Sequence, residues 1–436
     1  MVVDLNLKGG RIFIAGELHE GGLSIDEGKI VKVGKEKNLP ESSQTLHLNG
    51  QIICPGFIDV HVHLRGGEEA DKEDFESGLS AAAAGGITTV LDMPNTNPPL
   101  SSLTILERRI LDASRSLYVN LGFYGLLNEK SLPHINDLKK FVKAFKAYLY
   151  SPNKSIQIKY SELEKFYEKM TNSKIVIHAE DPFMINLLLQ KKRLKDRKGT
   201  LLDVISSHPP EAEYEAVSRV LSLHIPKNTL HFAHISYWRS VNKIWRNGKR
   251  PTMEATPHHL FLSLKAIERF GSKAYCIPPL RRESDRIRLL TLFQAGFIDI
   301  LASDHAPHTI EDKERFPPSP GFPGLETMVS LALHYVNRGI LTLDRVVESL
   351  SSNPARIFKL GDRGAIKEGY VGDLTIIDLS REVKIDPSTF YSKSKFSPFE
   401  DMRVKGVPYA TIVGGEIVMM EGEVYTDVKP GSIIRG

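Results

Sequence analysis

The chain has 436 residues, 41% of them hydrophobic and 25% charged, and a formal net charge of +4. No long run of lysine or arginine is present, which argues against a nucleic-acid-binding protein, and no apolar stretch reaches the ~18 residues of a membrane-spanning helix. Two cysteines, Cys54 and Cys276, cannot form a disulfide framework. With an N-terminus that lacks a basic and apolar leader, this composition predicts a cytoplasmic enzyme without a membrane partner.

The two ends of the chain share one texture. Residues 1–53 form short alternating runs that are interrupted by Gly9-Gly10, Gly16, Gly21-Gly22 and Gly28, as expected of small antiparallel strands joined by tight turns. The same texture returns after Gly364. We therefore predict a small β-sandwich domain that combines residues 1–53 with residues 362–436.

Residues 54–361 alternate short apolar strands with helix-like segments. Eight strand-and-helix units over about 300 residues predict a closed (β/α)₈ barrel of the TIM type. The predicted strands end near Leu64, Met93, Leu126, Tyr148, Ala179, Ile235, Thr256 and Ser303. The predicted amphipathic helices include Glu73 to Ala84, Ser101 to Ser116, Ser161 to Thr171, Pro210 to Leu223 and Ser236 to Asn247.

The first barrel strand ends in two histidines one residue apart, His61 and His63, with Arg65 two residues further on. Side chains alternate along a strand, so both imidazoles face one way and can bind one cation. A pair of packed or hydrogen-bonded histidines would give the same spacing. Arg65 places a positive charge where an anionic substrate could bind.

Three later strands end in residues of the same kind. His178, His234 and Asp304 each follow an apolar run, at the ends of the fifth, sixth and eighth predicted strands. Enzymes with this fold build their sites at the carboxyl ends of the strands, so these side chains are expected to converge with His61 and His63. Lys146 lies near the end of the fourth strand, although its spacing alone is more typical of a surface lysine.

These segments resemble the amidohydrolase superfamily and, within it, the dihydroorotases of the cyclic amidohydrolase group. The resemblance rests on PGFIDVHVHLR, MPNTNPP, IHAE, ATPHHL, IPPLR, ASDHAPH and GLET, in that order from about residue 54 to 330. The segment NPARIFKLGDRGAIKEGYVGDLTIID resembles the return of such chains into their small β-domain. Arg65 and the MPNT segment favour dihydroorotase within the superfamily.

The resemblance implies a centre of two metal ions, usually zinc, and a small-molecule substrate. His61, His63 and Asp304 would bind one ion, His178 and His234 the other, and a carboxylated Lys146 would bridge them. The implied reaction interconverts dihydroorotate and N-carbamoyl-aspartate in pyrimidine biosynthesis. A metal-bridging hydroxide would be the nucleophile, and Asp304 would act as the general acid and base.

Substrate binding is expected from three residues. Arg65 and Asn95 would bind the ring carboxylate, and His308 is the next position in the family pattern. Ile277 departs from that pattern, because a polar residue usually precedes Pro278-Pro279. The segment Thr309 to Gly324 has too little apolar periodicity to predict an element, and we expect a loop there.

Two other functions remain open on the sequence. A hydantoinase or allantoinase would use the same metals, although its substrate lacks the carboxylate that Arg65 and Asn95 would bind. A catalytically silent homologue could instead serve as a partner subunit, for example of aspartate carbamoyltransferase. Homodimerisation is a further expectation from the family.

Overall fold

A computed structural model describes residues 2–170, 173–192, 199–248 and 250–436. Over these ranges the strands form two sheets and the helices surround one of them. The strands are β1 (Val3–Ile14), β2 (Glu17–Asp26), β3 (Lys29–Gly34), β4 (Ser42–His47), β5 (Ile52–Pro55), β6 (Phe57–Val62), β7 (Ile87–Asp92), β8 (Asn120–Leu126), β9 (Ala144–Tyr148), β10 (Lys174–His178), β11 (Leu230–Phe232), β12 (Thr252–Ala255), β13 (Ile300–Leu301), β14 (Leu374–Lys384), β15 (Arg403–Val413), β16 (Glu416–Met420), β17 (Glu423–Val424) and β18 (Ile433–Ile434).

Most of the helices lie between successive strands of the sheet that contains β6 to β13. The α-helices are α1 (Phe75–Ala84), α2 (Leu103–Ala113), α3 (Ile135–Leu138), α4 (Tyr160–Lys169), α5 (Pro182–Lys191), α6 (Leu201–Ser206), α7 (Pro210–Ser222), α8 (Trp238–Trp245), α9 (Pro257–Phe261), α10 (Lys265–Phe270), α11 (Glu283–Gln294), α12 (Ile310–Glu314), α13 (Leu325–Asn337), α14 (Leu343–Val347) and α15 (Asn353–Ile357). None of the described helices is long and apolar enough to cross a membrane.

Strands β6 to β13 are parallel and follow one another around the sheet in chain order. The ring closes where Val62, at the end of β6, forms a parallel bridge to His305, just beyond β13. The backbone N–H of His63 donates to the carbonyl of His305 at 2.8 Å in the same place. The predicted (β/α)₈ barrel is therefore confirmed, and the carboxyl ends of all eight of these described strands open at one face.

The predicted elements agree with the structure to within a few residues. The largest difference among the strands is in β11, which ends at Phe232 and leaves His234 two residues beyond the strand. The predicted helices correspond to α1, α2, α4, α7 and α8. The predicted end of the third of them, Thr171, lies outside the described residues.

Inside the barrel, a layer of apolar side chains lies next to the polar side chains at the open end. Leu91, Tyr124, Ala144 and Val176 belong to one buried cluster. Side chains two residues apart in a strand share a face, so Lys146 follows Ala144 and His178 follows Val176 towards the open end. The apolar layer thus keeps water away from one side of the polar residues.

The two ends of the chain meet in the other sheet, as predicted. Strands β1 to β5 and β14 to β17 make up its described members, and β5 is paired with β14 through Cys54 and Thr375. One edge of β1 pairs first with β4 and then with β5, and the change occurs at Gly9 and Gly10. Gly9 has φ of 78°, and a Cβ there would lie 2.1 Å from the carbonyl oxygen of Leu48.

The segment Thr309 to Gly324 contains a short helix, α12, which corrects the prediction of a loop without elements. Thr309 caps it, since its hydroxyl accepts from the backbone N–H of Asp312 at 3.2 Å. Lys313 is buried, and its ammonium donates to three backbone carbonyls at 2.7 to 3.0 Å. Polar anchoring holds a helix of one turn in place, and such a helix is too short to show an apolar period.

A buried carboxylate, Asp373, joins the small sheet to the barrel. Its oxygens accept from Asn120 at 2.9 Å, from Arg363 at 2.8 Å and from the N–H of Gly414 at 2.8 Å. Asn120 begins barrel strand β8, whereas Gly414 follows β15. One side chain therefore connects residues that lie almost 300 positions apart in the sequence.

Replacing this carboxylate is expected to destabilise the fold. Asp373→Ala leaves buried donors unpaired and should lower the free energy of unfolding by about 3 kcal/mol. Urea unfolding followed by circular dichroism measures the change. The control is Glu382→Ala, which removes an exposed ion pair to Arg403 and should cost about 0.5 kcal/mol or less. Equal unfolding midpoints for the two variants would contradict the role of Asp373.

Candidate active site

Three predicted ligands meet at the mouth of the barrel. The Nε2 atoms of His61 and His63 lie 3.3 and 3.4 Å from the same carboxylate oxygen of Asp304. Ligand atoms of the three residues all lie within 4.8 Å of one another. Two imidazoles and a carboxylate around one point are a donor set that suits Zn²⁺ and similar cations.

The other two predicted histidines form a second pair beside the first set. His178 Nδ1 and His234 Nε2 face each other at 3.0 Å. The ring centroids of His61 and His234 are 5.2 Å apart, so the pair adjoins the three ligands described above. Residues from β6, β10 and the segments after β11 and β13 are thereby brought together, as the barrel prediction required.

Lys146 is buried rather than on the surface. Its side chain is 0% exposed, and its Nζ has no hydrogen-bond partner among the described residues. Burial lowers its pKa to about 8, although the carboxylates of Glu254 and Asp304 limit the fall. Such a lysine has a far larger neutral fraction near neutral pH than a lysine in water, although most of it is still protonated.

Three site residues have a left-handed backbone. Arg65, His234 and Asp304 have φ angles of 48°, 34° and 50°. Residues other than glycine rarely adopt this conformation, and those that do cluster at functional sites. Each of the three follows a barrel strand, so the chain turns sharply where its side chain enters the site.

A buried carboxylate that the sequence analysis did not identify, Glu254, lies beneath the first ligand set. One of its oxygens is hydrogen-bonded to Nδ1 of His61, and the other lies 3.0 Å from Nε2 of His231. Burial raises the pKa of Glu254, but the imidazoles of His61 and His231 outweigh this effect and hold the pKa well below its usual range. His231 lies in barrel strand β11 and is fully buried.

The sequence analysis also did not assign Glu180, which lies beside the second pair. Its carboxylate is 2.8 Å from Nε2 of His178. The available signal was position: Glu180 and Glu254 both lie within two residues of the end of a barrel strand, although only the strand before Glu180 carries a predicted ligand. A carboxylate there serves either as a ligand or as a partner of one, and spacing does not distinguish the two.

The protonation states suit a metal centre. Burial lowers the pKa of His63 to about 4, and burial holds the pKa of His234 well below its usual range. For Asp304, burial raises the pKa, but His61 and His63 outweigh it and keep the pKa well below the usual range. Neutral imidazoles and an ionised carboxylate are the forms that bind metals.

A cavity opens above these ligands. Its wall combines the histidines and Asp304 with Arg65 on one side and largely apolar groups on the other. The lining residues are His61, His63, Arg65, Asn95, Tyr148, Tyr150, Ser151, Pro152, His178, His234, Ile277, Asp304, Ala306, Pro320 and Gly321. The apolar Ile277 thus takes a place on the cavity wall.

The backbone of Arg65 is held by a second arginine, Arg109. Its carbonyl accepts from Nη1 of Arg109 at 2.7 Å, and Arg109 is paired with buried Asp92 at 2.5 Å. The Nε of Arg65 has no hydrogen-bond partner among the described residues. Arg65 lines the cavity, and a guanidinium at a cavity wall can bind an anionic group of a ligand.

Asn95 lies at the cavity wall, whereas His308 lies next to Arg65. Asn95 lines the cavity, and its carbonyl oxygen lies 2.7 Å from Nδ1 of His63, which directs Nε2 of that ring towards Asp304. His308 lies behind Arg65, with 3.3 Å between its Nε2 and Nη2 of the arginine. It is not among the described residues that line the cavity, and its contact with substrate stays a prediction.

His258 and His259 belong to the ATPHHL segment quoted above. Both are buried at the start of α9. His259 contacts the hydroxyl of Thr256 at 2.8 Å and the carbonyl of Pro278 at 2.9 Å, which ties α9 to the segment that carries Ile277.

Comparison with known proteins covers nearly the whole chain. The model of the amidohydrolase family matches residues 52–418. The dihydroorotase of Pyrococcus abyssi is 38% identical over 429 residues and 98% of both chains. The dihydroorotase of Methanothermobacter thermautotrophicus is 35% identical over 407 residues, 92% of this chain and 91% of the relative.

Solved structures agree with this result. The L-hydantoinase (dihydropyrimidinase) of Arthrobacter aurescens superposes with a TM-score of 0.94 over 100% of both chains, at 30% identity. A D-hydantoinase from Thermus sp. gives a TM-score of 0.89 over 99% of this chain and 98% of its own, at 24% identity, and supports the fold. Because a family model and full-length relatives both match, the chain belongs to the amidohydrolase family.

Proposed function

We propose that the chain is a dihydroorotase, a hydrolase that interconverts (S)-dihydroorotate and N-carbamoyl-L-aspartate in pyrimidine biosynthesis. The observation that carries the proposal is a buried arginine, Arg65, in the same cavity as the cluster of histidines and Asp304. The full-length similarity to archaeal dihydroorotases supports it. The predicted homodimer, cytoplasmic location and association with aspartate carbamoyltransferase stay predictions.

The residues present fit two metal ions, and we propose zinc. His61, His63 and Asp304 would hold one ion, and His178 with His234 would hold the other. The orphaned, buried Nζ of Lys146 fits a bridging carbamate, because a neutral amine can capture carbon dioxide and the resulting anion needs cations nearby. The bound ions would lower the pKa of a water molecule and polarise the substrate carbonyl.

Asp304 is proposed to move the proton. In hydrolysis, oxygen from water joins the ring amide carbon, the ring C–N bond breaks, and the departing nitrogen gains a proton. The Asp304 carboxylate lines the cavity and would take the proton from water and deliver it to that nitrogen. In the cyclisation direction the same carboxyl group would start protonated.

Arg65 is proposed to select the substrate. Its planar guanidinium can form paired hydrogen bonds with the ring carboxylate of dihydroorotate, and the amide group of Asn95 can add another. His308 would hold the guanidinium from behind. A hydantoin or allantoin ring has no such carboxylate, so binding it would leave the charge of Arg65 unpaired in a buried wall.

The two other functions are less well supported. The hydantoinase structures share the fold, but Arg65 favours a substrate that carries a carboxylate. A catalytically silent subunit could lose ligands without consequence, whereas this chain has every one of the six predicted ligand residues, and five of them line one cavity.

Substrate preference tests the proposal directly. The zinc-loaded protein is expected to convert dihydroorotate and N-carbamoyl-aspartate in both directions, followed by ultraviolet absorbance, and to leave hydantoin and allantoin unchanged. Protein treated with a chelator should lose this activity and regain it when zinc is added. Turnover of hydantoin without turnover of dihydroorotate would contradict the proposal.

Arg65→Gln is expected to lower kcat/KM for dihydroorotate by about 100-fold, mostly through KM, because a charge-assisted pair of hydrogen bonds is lost. Steady-state kinetics over a range of substrate concentrations separates the two constants. The control is Arg250→Gln, which removes an arginine paired with Asp299 near the start of β12. It should leave KM unchanged. An unchanged KM in Arg65→Gln would show that the arginine does not bind the carboxylate.

The carbamate on Lys146 can be tested by isotope labelling. Zinc-loaded protein prepared with ¹³C-bicarbonate should show one carbamate signal by ¹³C NMR, and Lys146→Ala should lack it. Lys174→Ala is a matched control, because burial also lowers the pKa of Lys174 to about 8, but this lysine lies at the start of β10, away from the site. A signal that persists in Lys146→Ala, or disappears in Lys174→Ala, would rule out the assignment.

A further inference from the structure

Behind the second histidine pair lies a buried chain of three side chains. Nε2 of His178 is 2.8 Å from one oxygen of Glu180, and Nδ1 of His208 is 3.0 Å from the other. Glu180 is 0% exposed and His208 is 2% exposed. Both oxygens of one carboxylate are therefore occupied by imidazoles, of which only one belongs to the proposed metal centre.

These contacts determine which ring nitrogen of His178 carries the hydrogen and which carries the lone pair. An ionised carboxylate only accepts hydrogen bonds, so the nitrogen that faces Glu180 carries the hydrogen. The lone pair of His178 is then on Nδ1, the atom that faces His234. Partners of this kind orient a metal-binding histidine and raise its affinity for the ion.

His208 is held firmly enough to fix the carboxylate. Its carbonyl accepts from Nη1 of Arg281 at 2.6 Å, and its ring meets that of Tyr150 edge to face at 5.0 Å. It lies between α6 and α7, outside the barrel strands. A segment that lies 28 residues after Glu180 in the sequence thus reaches the proposed metal ligands through this carboxylate.

The carboxylate next to the first ligand set, Glu254, has different contacts. Glu254 contacts the rings of His61 and His231, but it also accepts from the backbone N–H of His234 at 3.2 Å. Its contacts therefore span both ligand groups, whereas within the described ranges His178 is the only predicted ligand that Glu180 contacts.

We propose that His208 is a positioning residue for one of the two metal ions, the ion between His178 and His234. Acting through Glu180, it keeps His178 in the tautomer and the orientation that bind this ion. It has no direct contact with the ligands of the other ion among the described residues. The inference rests on the proposed function, because it requires a centre of two metals.

Metal stoichiometry tests the inference without an activity measurement. Apoprotein is titrated with Zn²⁺ against a chromophoric chelator, and both binding steps are resolved. The wild type should bind two ions tightly. In His208→Leu the affinity of one step should fall by about 10- to 100-fold, and the other step should not change. His208→Asn, which restores an N–H donor near the position of Nδ1, should recover most of the loss.

His224→Leu is the matched control, since His224 is also paired with a glutamate, Glu164, but on the surface. It should bind two ions like the wild type. Circular dichroism of each apoprotein shows whether the variant folds. If the leucine variant does not fold, the isosteric Glu180→Gln tests the same chain and should weaken the same step alone.

The outcomes are distinguishable. A wild type that binds fewer than two ions would remove the proposed centre and the inference with it. Two wild-type affinities in folded His208→Leu would overturn the inference and leave the proposed function intact. Equal weakening of both steps would also overturn it, because it would show a general structural effect.

Discussion

Burying ionisable groups without water is costly, and the mouth of this barrel buries many of them in one place. Glu254, Asn95 and Glu180 each contact one ring nitrogen of His61, His63 and His178, and the other nitrogen of each ring faces another predicted ligand. Lys146 is the extreme case, because its amine is surrounded by protein and is unpaired among the described residues. The proposed cations would offset the cost of burying the carboxylate of Asp304 and, on Lys146, of a carbamate in place of an ammonium.

The barrel positions these groups with little help from long loops. Parallel strands bring their carboxyl ends to one face, and the chain then turns through left-handed residues at Arg65, His234 and Asp304. Behind them, buried ion pairs such as that of Arg109 with Asp92 hold the turns. Under the proposed function, specificity would depend on a few side chains at the cavity wall, such as the charged Arg65 and the apolar Ile277.

The barrel and the convergence of the candidate ligands could be predicted from the sequence because these residues follow short apolar runs. Lys146 was harder, since only the family resemblance separated it from a surface lysine. Glu180 and Glu254 were missed because their role depends on which ring nitrogen they face, which spacing does not encode. The helix α12 was missed because a single turn has no measurable period. The pairing of β18 with β8 rests on two isoleucines without a pattern.

Synthesis from the N-terminus has a consequence for the small sheet, because the sheet pairs strands from both ends of the chain. Strand β5 ends before the barrel begins, yet its neighbour β14 is separated from it by more than 300 residues. The edge of β5 that pairs with β14 therefore stays unpaired until the whole barrel has left the ribosome. Such late, long-range closure slows folding and leaves an apolar strand open to the wrong partner in the meantime. Chaperones that shield nascent strand edges would have their greatest effect at this stage.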